Sequence, residues 1–178
     1  QMLLCLHEEH AVGIAHGYYR VTERMMAAAV HANVGLMHAT MPIFNAWCDR
    51  VPVLVLGATG PVDAAQRRPW IDWIHTARDQ GALVRDYTKW DDQPASPGAA
   101  REALLRAAMI GNAAPQGPVY VNLDAEMQEA LTELEDLGKD AGLTLATIDY
   151  VPGQTGDSTI EGYPAFREAA EKVQEGDF

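Results

Sequence analysis

Three short apolar segments constrain the fold of this chain more than any other feature: MMAAAV (25–30), VPVLVLG (51–57) and VYVNL (119–123). Such runs, without regular polar alternation, are typical of strands buried on both faces of a sheet. Longer segments with helical spacing of apolar residues separate them. Because strands and helices alternate with short connections, the sequence predicts an α/β fold, with a parallel sheet covered by helices on both faces.

The first part of the chain is predicted to pass twice from strand to helix. QMLLCL (1–6) is a strand-like apolar run, and a helix follows over residues 7–22. The segment MMAAAV is then predicted to form a short strand that ends at His31. A turn through Asn33 and Gly35 is expected next, and a second helix over roughly residues 36–49.

The second part repeats this alternation after an irregular stretch. VPVLVLG is the clearest strand, and residues 61–82 are predicted to be irregular with short helical pieces. LVRDYTKW (83–90) is interpreted as a short strand. A helix over roughly residues 97–113 begins with Pro97 in its first turn, a position that proline favours.

Charge divides the chain into unequal parts. Residues 1–123 contain 11 acidic and 10 basic side chains, whereas residues 124–178 contain 14 acidic and 3 basic ones. We therefore interpret residues 1–128 as one domain without its N-terminal start and residues 129–162 as an acidic linker. Residues 163–178 are interpreted as the first helix of a truncated central domain, so the chain is expected to be a fragment of a larger protein.

Composition argues against several classes of function. A net charge of −12 does not favour a nucleic-acid partner, which needs a basic surface. The longest apolar runs are about half the ~20 residues of a membrane-spanning helix, so no membrane partner is expected. Two cysteines with apolar neighbours, Cys5 and Cys48, suit buried thiols in a reducing compartment. These features predict a cytoplasmic protein.

The densest polar cluster, His7 to His10, lies at a predicted junction between a strand and a helix. Parallel sheets bind ligands at the carboxyl ends of their strands, so this junction is a candidate site. The simpler alternative is an acidic cap, because carboxylates are favoured at a helix N-terminus. No metal site is predicted, because the histidine spacing is not H-E-x-x-H. Nucleotide-binding glycine motifs and a G-x-S-x-G elbow are also absent from the sequence.

Four segments together resemble the pyrimidine-binding domain of thiamine-diphosphate-dependent enzymes, in particular the acetolactate synthase and benzoylformate decarboxylase group. They occur in the family's order: HEEHAVGIAHGYYRVT, HANVGLMHATMPIFNAWCDRVPVLVLGATGP, LVRDYTKW and AAPQGPVYVNLD. The resemblance implies that Glu8 is the family's cofactor-activating glutamate. A carboxyl group at that position binds the aminopyrimidine ring and promotes loss of a proton from the thiazolium carbon.

The resemblance also implies roles for four further residues. His31 lies where benzoylformate decarboxylase-like members have an active-site histidine, which could relay a proton. Asn33, Gly35 and His38 are expected to approach the aminopyrimidine. This segment lacks the G-P-G turn and the Thr-Asn pair of acetolactate synthases, so it does not match that enzyme strictly.

The predicted function is that of a thiamine-diphosphate-dependent decarboxylase or carboligase acting on a 2-oxo acid. The resemblance implies Mg²⁺ held by another domain, because no G-D-G motif is present, and it leaves FAD undecided. It also implies a homodimer or homotetramer. Two alternatives remain: the pyrimidine-half subunit of a two-chain decarboxylase, and a non-catalytic homologue that acts as a binding module.

Overall fold

The structure, a computed structural model, describes residues 3–130 and 144–146 of the chain. Its strands and helices alternate as the apolar pattern predicts. The strands are β1 (Met26–Ala29), β2 (Val53–Thr59), β3 (Asp91–Asp92), β4 (Val119–Asp124) and β5 (Thr144–Ala146). The helices are α1 (Glu8–Thr22), α2 (Ala32–Cys48), α3 (Ile71–Ile74), α4 (Pro97–Asn112) and α5 (Ala125–Ala130).

All strand pairs of the sheet are parallel, in the order β3-β4-β2-β1-β5. The central strand β2 pairs with β1 from Met26 opposite Val53, and with β4 from Leu54 opposite Val119. Strands buried in this way need apolar side chains on both faces. The predicted parallel sheet is therefore confirmed.

Alternate residues of the strands enter two separate cores. Met26, Ala28 and Val53 lie in the core that contains buried residues of α1 and α2. Ala27 and Leu54 lie in the opposite core, which contains the buried face of α4. Because successive side chains of a strand point to opposite faces, helices cover both faces of the sheet, as predicted.

The predicted strand over residues 1–6 is wrong for the residues that the structure describes. Leu3 forms only an isolated bridge, and residues 4–7 are irregular. Leu6 is 83% exposed. Among the described residues, β2 and β5 pair with the two sides of β1, so residues 4–7 have no place beside that strand.

The predicted turn through Asn33 and Gly35 is also wrong, because both residues belong to the first turn of α2. The helix begins four residues earlier than expected, with His31 as its N-cap. Ala32 has a φ of 45°, which bends the chain directly from β1 into the helix. This early start brings Asn33 and Gly35 next to the start of α1.

LVRDYTKW contains the end of one 3₁₀ turn and the whole of a second, rather than the predicted strand. The turns cover Gly81–Leu83 and Arg85–Tyr87, and β3 begins only after them. The Tyr87 hydroxyl donates to the Leu83 carbonyl at 2.7 Å, which stabilises the turn. Because a 3₁₀ turn also buries apolar side chains at short spacing, the apolar pattern alone did not distinguish the two structures.

Residues 129–162, interpreted as an acidic linker, include the described strand β5 beside β1. The predicted helix over residues 163–178 lies outside the described residues, and the domain boundaries stay a prediction. No helix within residues 3–130 and 144–146 combines the length and apolar character required to cross a membrane.

The two cysteines are free thiols, and they differ from the predicted burial. Cys5 is half-buried, whereas Cys48 at the end of α2 is exposed. Its helix carries both buried and exposed apolar residues: Ile43 is fully buried, whereas Met41 is 59% exposed. The opposite sides of this helix therefore have different surroundings.

Candidate functional site

The N-termini of α1 and α2 lie at the carboxyl edge of the sheet. Strand β1 connects the two helices, so the chain leaves this edge along α1 and returns to it before α2 begins. Glu8 is the first residue of α1, and His31 precedes the first residue of α2. The carboxyl edge of a parallel sheet is where such folds bind ligands.

The side chain of Glu8 lies against the first turn of α2. A Cβ atom at Gly35 would be 2.8 Å from Glu8 Cγ and 2.9 Å from Glu8 Oε1. The glutamate therefore occupies the space that a side chain at position 35 would need. Its neighbour Glu9 has a side chain that is 54% exposed and lies 3.9 Å from His10.

His31 lies close to a second imidazole, that of His75. The two ring centroids are 5.1 Å apart, in an edge-to-face arrangement. Burial lowers the pKa of His31, and His75 lowers it further, whereas the carboxylate of Glu8 opposes both effects. The combination favours a neutral imidazole, which can accept a proton.

Asn33 connects α2 to the segment that contains His75. Its Nδ2 atom donates a hydrogen bond to the carbonyl of Ile74 at 3.1 Å. Its Oδ1 atom is buried and has no hydrogen-bond partner within the described residues. A buried acceptor without a partner costs free energy, so a ligand N–H group would stabilise this atom.

His38 lies one turn further along α2 and is exposed. Its ring centroid is 5.9 Å from that of His7, which precedes α1. The structure thus brings Glu8, His31, Asn33 and Gly35 together, and it places His38 at the rim. The specific role of each of these residues stays a prediction.

Residues 61–80 form an irregular segment with two short helical turns, as predicted, and it runs past this edge of the sheet. Its main anchor is the buried residue Asp72, which accepts hydrogen bonds from Arg68 at 2.8 and 2.9 Å. These hydrogen bonds lower the pKa of Asp72, although burial acts in the opposite direction. The anchored segment keeps His75 beside α2.

Sequence reasoning missed two features near the site. The first is His75, to which the sequence analysis assigned no site role because it lies in the variable connection between two strands. The second feature is a buried polar network in which Gln80 Nε2 donates to the Tyr120 hydroxyl at 2.9 Å and to the Ala58 carbonyl at 2.8 Å. Polar Asn122 in an apolar strand was its only sequence signal.

The donor set at the edge has a definite chemical character. It combines a carboxyl group, a neutral imidazole and an amide oxygen that has no hydrogen-bond partner in the described part of the chain. Together these groups suit a nitrogen heterocycle that bears an amino group. Among residues 3–130 and 144–146, no group of three or more His, Cys, Asp or Glu side chains is arranged to hold a metal ion.

Comparison with known proteins gives a family match over the same residues. Residues 1–84 match the model described as "Thiamine pyrophosphate enzyme, N-terminal TPP binding domain". The matched range includes Glu8, His31, Asn33, Gly35 and His38.

Similar proteins include two from Pseudomonas aeruginosa PAO1. The chain is 25% identical over 121 residues to a benzoylformate decarboxylase, and the alignment covers 68% of this chain and 22% of that protein. It is 26% identical over 128 residues to a probable 2-ketoarginine decarboxylase, and that alignment covers 72% of this chain and 22% of the relative. The chain therefore spans about a fifth of the length of these relatives.

A solved structure shares the fold. The crystal structure of benzoylformate decarboxylase from Polynucleobacter necessarius matches with a TM-score of 0.61 at 24% identity. The match covers 70% of this chain and 23% of that one.

Proposed function

We propose that the chain belongs to the thiamine pyrophosphate enzyme family, whose N-terminal TPP binding domain model matches residues 1–84, and that it binds the aminopyrimidine end of thiamine diphosphate in a 2-oxo acid decarboxylase. The observation that carries the proposal is the Glu8 carboxyl, held against Gly35 at the carboxyl edge of the sheet. The names of both decarboxylase relatives support the reaction class.

The residues at this edge fit the aminopyrimidine. Glu8 would exchange a proton with a ring nitrogen, and the partnerless Oδ1 of Asn33 would accept a hydrogen bond from an N–H group of the ring. Gly35 leaves the space that the carboxyl group needs. When bound, thiamine diphosphate supplies the nucleophilic carbon that attacks a 2-oxo acid and accepts the electron pair left by decarboxylation.

His31 completes the proposed proton chemistry. Its neutral imidazole, in the partly buried position next to α2, can accept a proton at this edge and return it to a product carbon. Such proton return favours decarboxylation over carboligation, which instead joins the carbon to a second carbonyl. Decarboxylation is therefore our first proposal, and carboligation is the second.

A direct assay tests this proposal. The full-length protein, supplied with thiamine diphosphate and Mg²⁺, is expected to release CO₂ from at least one of benzoylformate, 2-ketoarginine and pyruvate. Omission of the cofactor is the control, and formation of a joined product identifies carboligation. Cofactor binding without turnover of any of these acids would favour a non-catalytic binding module. Turnover only after addition of a second chain would favour a two-chain decarboxylase.

The packing of Glu8 on Gly35 gives a sharper prediction. A Gly35→Ala substitution would place Cβ within 2.9 Å of the Glu8 carboxyl and displace it. Since a displacement of about 1 Å in an active site can cost about 100-fold, we expect kcat/KM to fall by that order. The measurement is steady-state turnover of the full-length enzyme at varied thiamine diphosphate concentration.

Gly17→Ala is the matched control, because nothing lies within 4 Å of the added Cβ on α1. Equal activity of the two variants would contradict the role of Gly35. Mg²⁺ binding, FAD binding and assembly into a homodimer or homotetramer stay predictions.

A further inference from the structure

His75 is the chemically active side chain at this edge that the proposed function does not use. Its Nδ1 atom lies 2.7 Å from the carbonyl of Ile71. Because a carbonyl oxygen only accepts hydrogen bonds, Nδ1 carries the proton. The contact therefore fixes both the orientation of the ring and its tautomer when it is neutral.

Two further contacts hold His75 in place relative to α2. Asn33 donates to the carbonyl of Ile74, the residue directly before His75. On the other side, Thr76 Oγ1 donates to the carbonyl of Asp72, which is anchored by Arg68. The 5.1 Å separation of the His31 and His75 rings is thus determined on both sides by hydrogen bonds.

We propose that His75 is a positioning residue for His31, and that the two edge-to-face imidazoles beside Glu8 form one proton-handling unit. The proposal rests on the proposed function for its catalytic meaning. His75 acts through His31: its ring packs against His31 and keeps that imidazole in the neutral form.

Among the described residues, Glu8 on α1 and His75 after α3 act electrostatically on His31. They act in opposite directions. A positive His75 makes a second positive charge on His31 less favourable, whereas the negative Glu8 makes it more favourable. Removal of either neighbour should therefore move the titration of His31, with opposite signs.

The test follows the imidazole signals of His31 by NMR during a pH titration of the full-length protein. His75→Phe keeps the ring volume but removes the charge, so we expect the pKa of His31 to rise. Glu8→Gln is expected to lower it. His16→Gln is the control, because His16 pairs with Asp49 at 3.0 Å and is remote from His31 in the chain.

The same substitution is expected to change catalysis in a specific way. If His31 must be neutral, a raised His31 pKa lowers kcat/KM on the acidic side of the pH profile, with little change on the basic side. His75→Asn, which keeps an N–H donor for the Ile71 carbonyl, should behave like His75→Phe even if the larger substitution impairs folding.

The outcomes separate the two proposals. An unchanged His31 titration in both His75 variants would overturn the positioning role, whatever their stability or turnover. A shifted titration in a protein that decarboxylates no 2-oxo acid would support the histidine pair and refute the proposed function. A loss of stability with an unchanged pH profile would also overturn the pair, because that result indicates a purely structural residue.

Discussion

Glu8→Gln in the full-length protein is expected to reduce the turnover of a 2-oxo acid by about 100-fold or more. Glutamine has nearly the same shape as glutamate and still forms hydrogen bonds, so it should fill the space beside Gly35. It cannot take up or release a proton at neutral pH. The expected loss is therefore in kcat, with thiamine diphosphate still bound.

Turnover kinetics and calorimetric titration with thiamine diphosphate provide the measurement. Glu9→Gln is the matched control, because Glu9 has the same chemistry in the next position but an exposed side chain. We expect the control to retain nearly full activity. If Glu8→Gln remains active, or if the two variants lose activity equally, the proposed role of Glu8 is wrong.

The largest expected effect on stability is that of Gly57→Ala in the central strand. A Cβ at Gly57 would lie 1.9 Å from the hydroxyl oxygen of Tyr120 and 2.5 Å from its Cζ. The Tyr120 side chain is fully buried, and its hydroxyl bonds Gln80 and Asn122. It cannot move without breaking this network, so we expect the free energy of unfolding to fall by about 3 kcal/mol.

Urea unfolding of the full-length protein, followed by tryptophan fluorescence, measures this loss. Gly98→Ala is the control, because no atom lies within 4 Å of the added Cβ in α4. In the Gly57→Ala background, Tyr120→Val should recover part of the stability by removing the ring. Tyr120→Phe should not, because the ring carbons still clash. A stable Gly57→Ala protein would contradict the packing described for β2 and β4.

Local sequence signals predicted the elements whose burial pattern is unambiguous. Strands β1, β2 and β4 occur at the three apolar runs, and α4 begins at Pro97 after its cap, Ser96. The same signals failed where one hydrophobic pattern is compatible with two different secondary structures. In residues 83–90, the buried residue Val84 lies between two 3₁₀ turns, and α2 begins early because Ala32 adopts a positive φ. Neither preference is encoded in hydrophobic spacing.

The sequence by itself determined the fold class and, through the family resemblance, the position of Glu8. Hydrophobic periodicity and turn residues involve only a few neighbouring positions, so the sequence alone is enough to recognise them. Only the tertiary structure decided that Gly35 makes room for Glu8 and that His75 lies beside His31. These contacts join residues far apart in the chain, and their distances depend on how the helices and the segment 61–80 pack at the edge of the sheet.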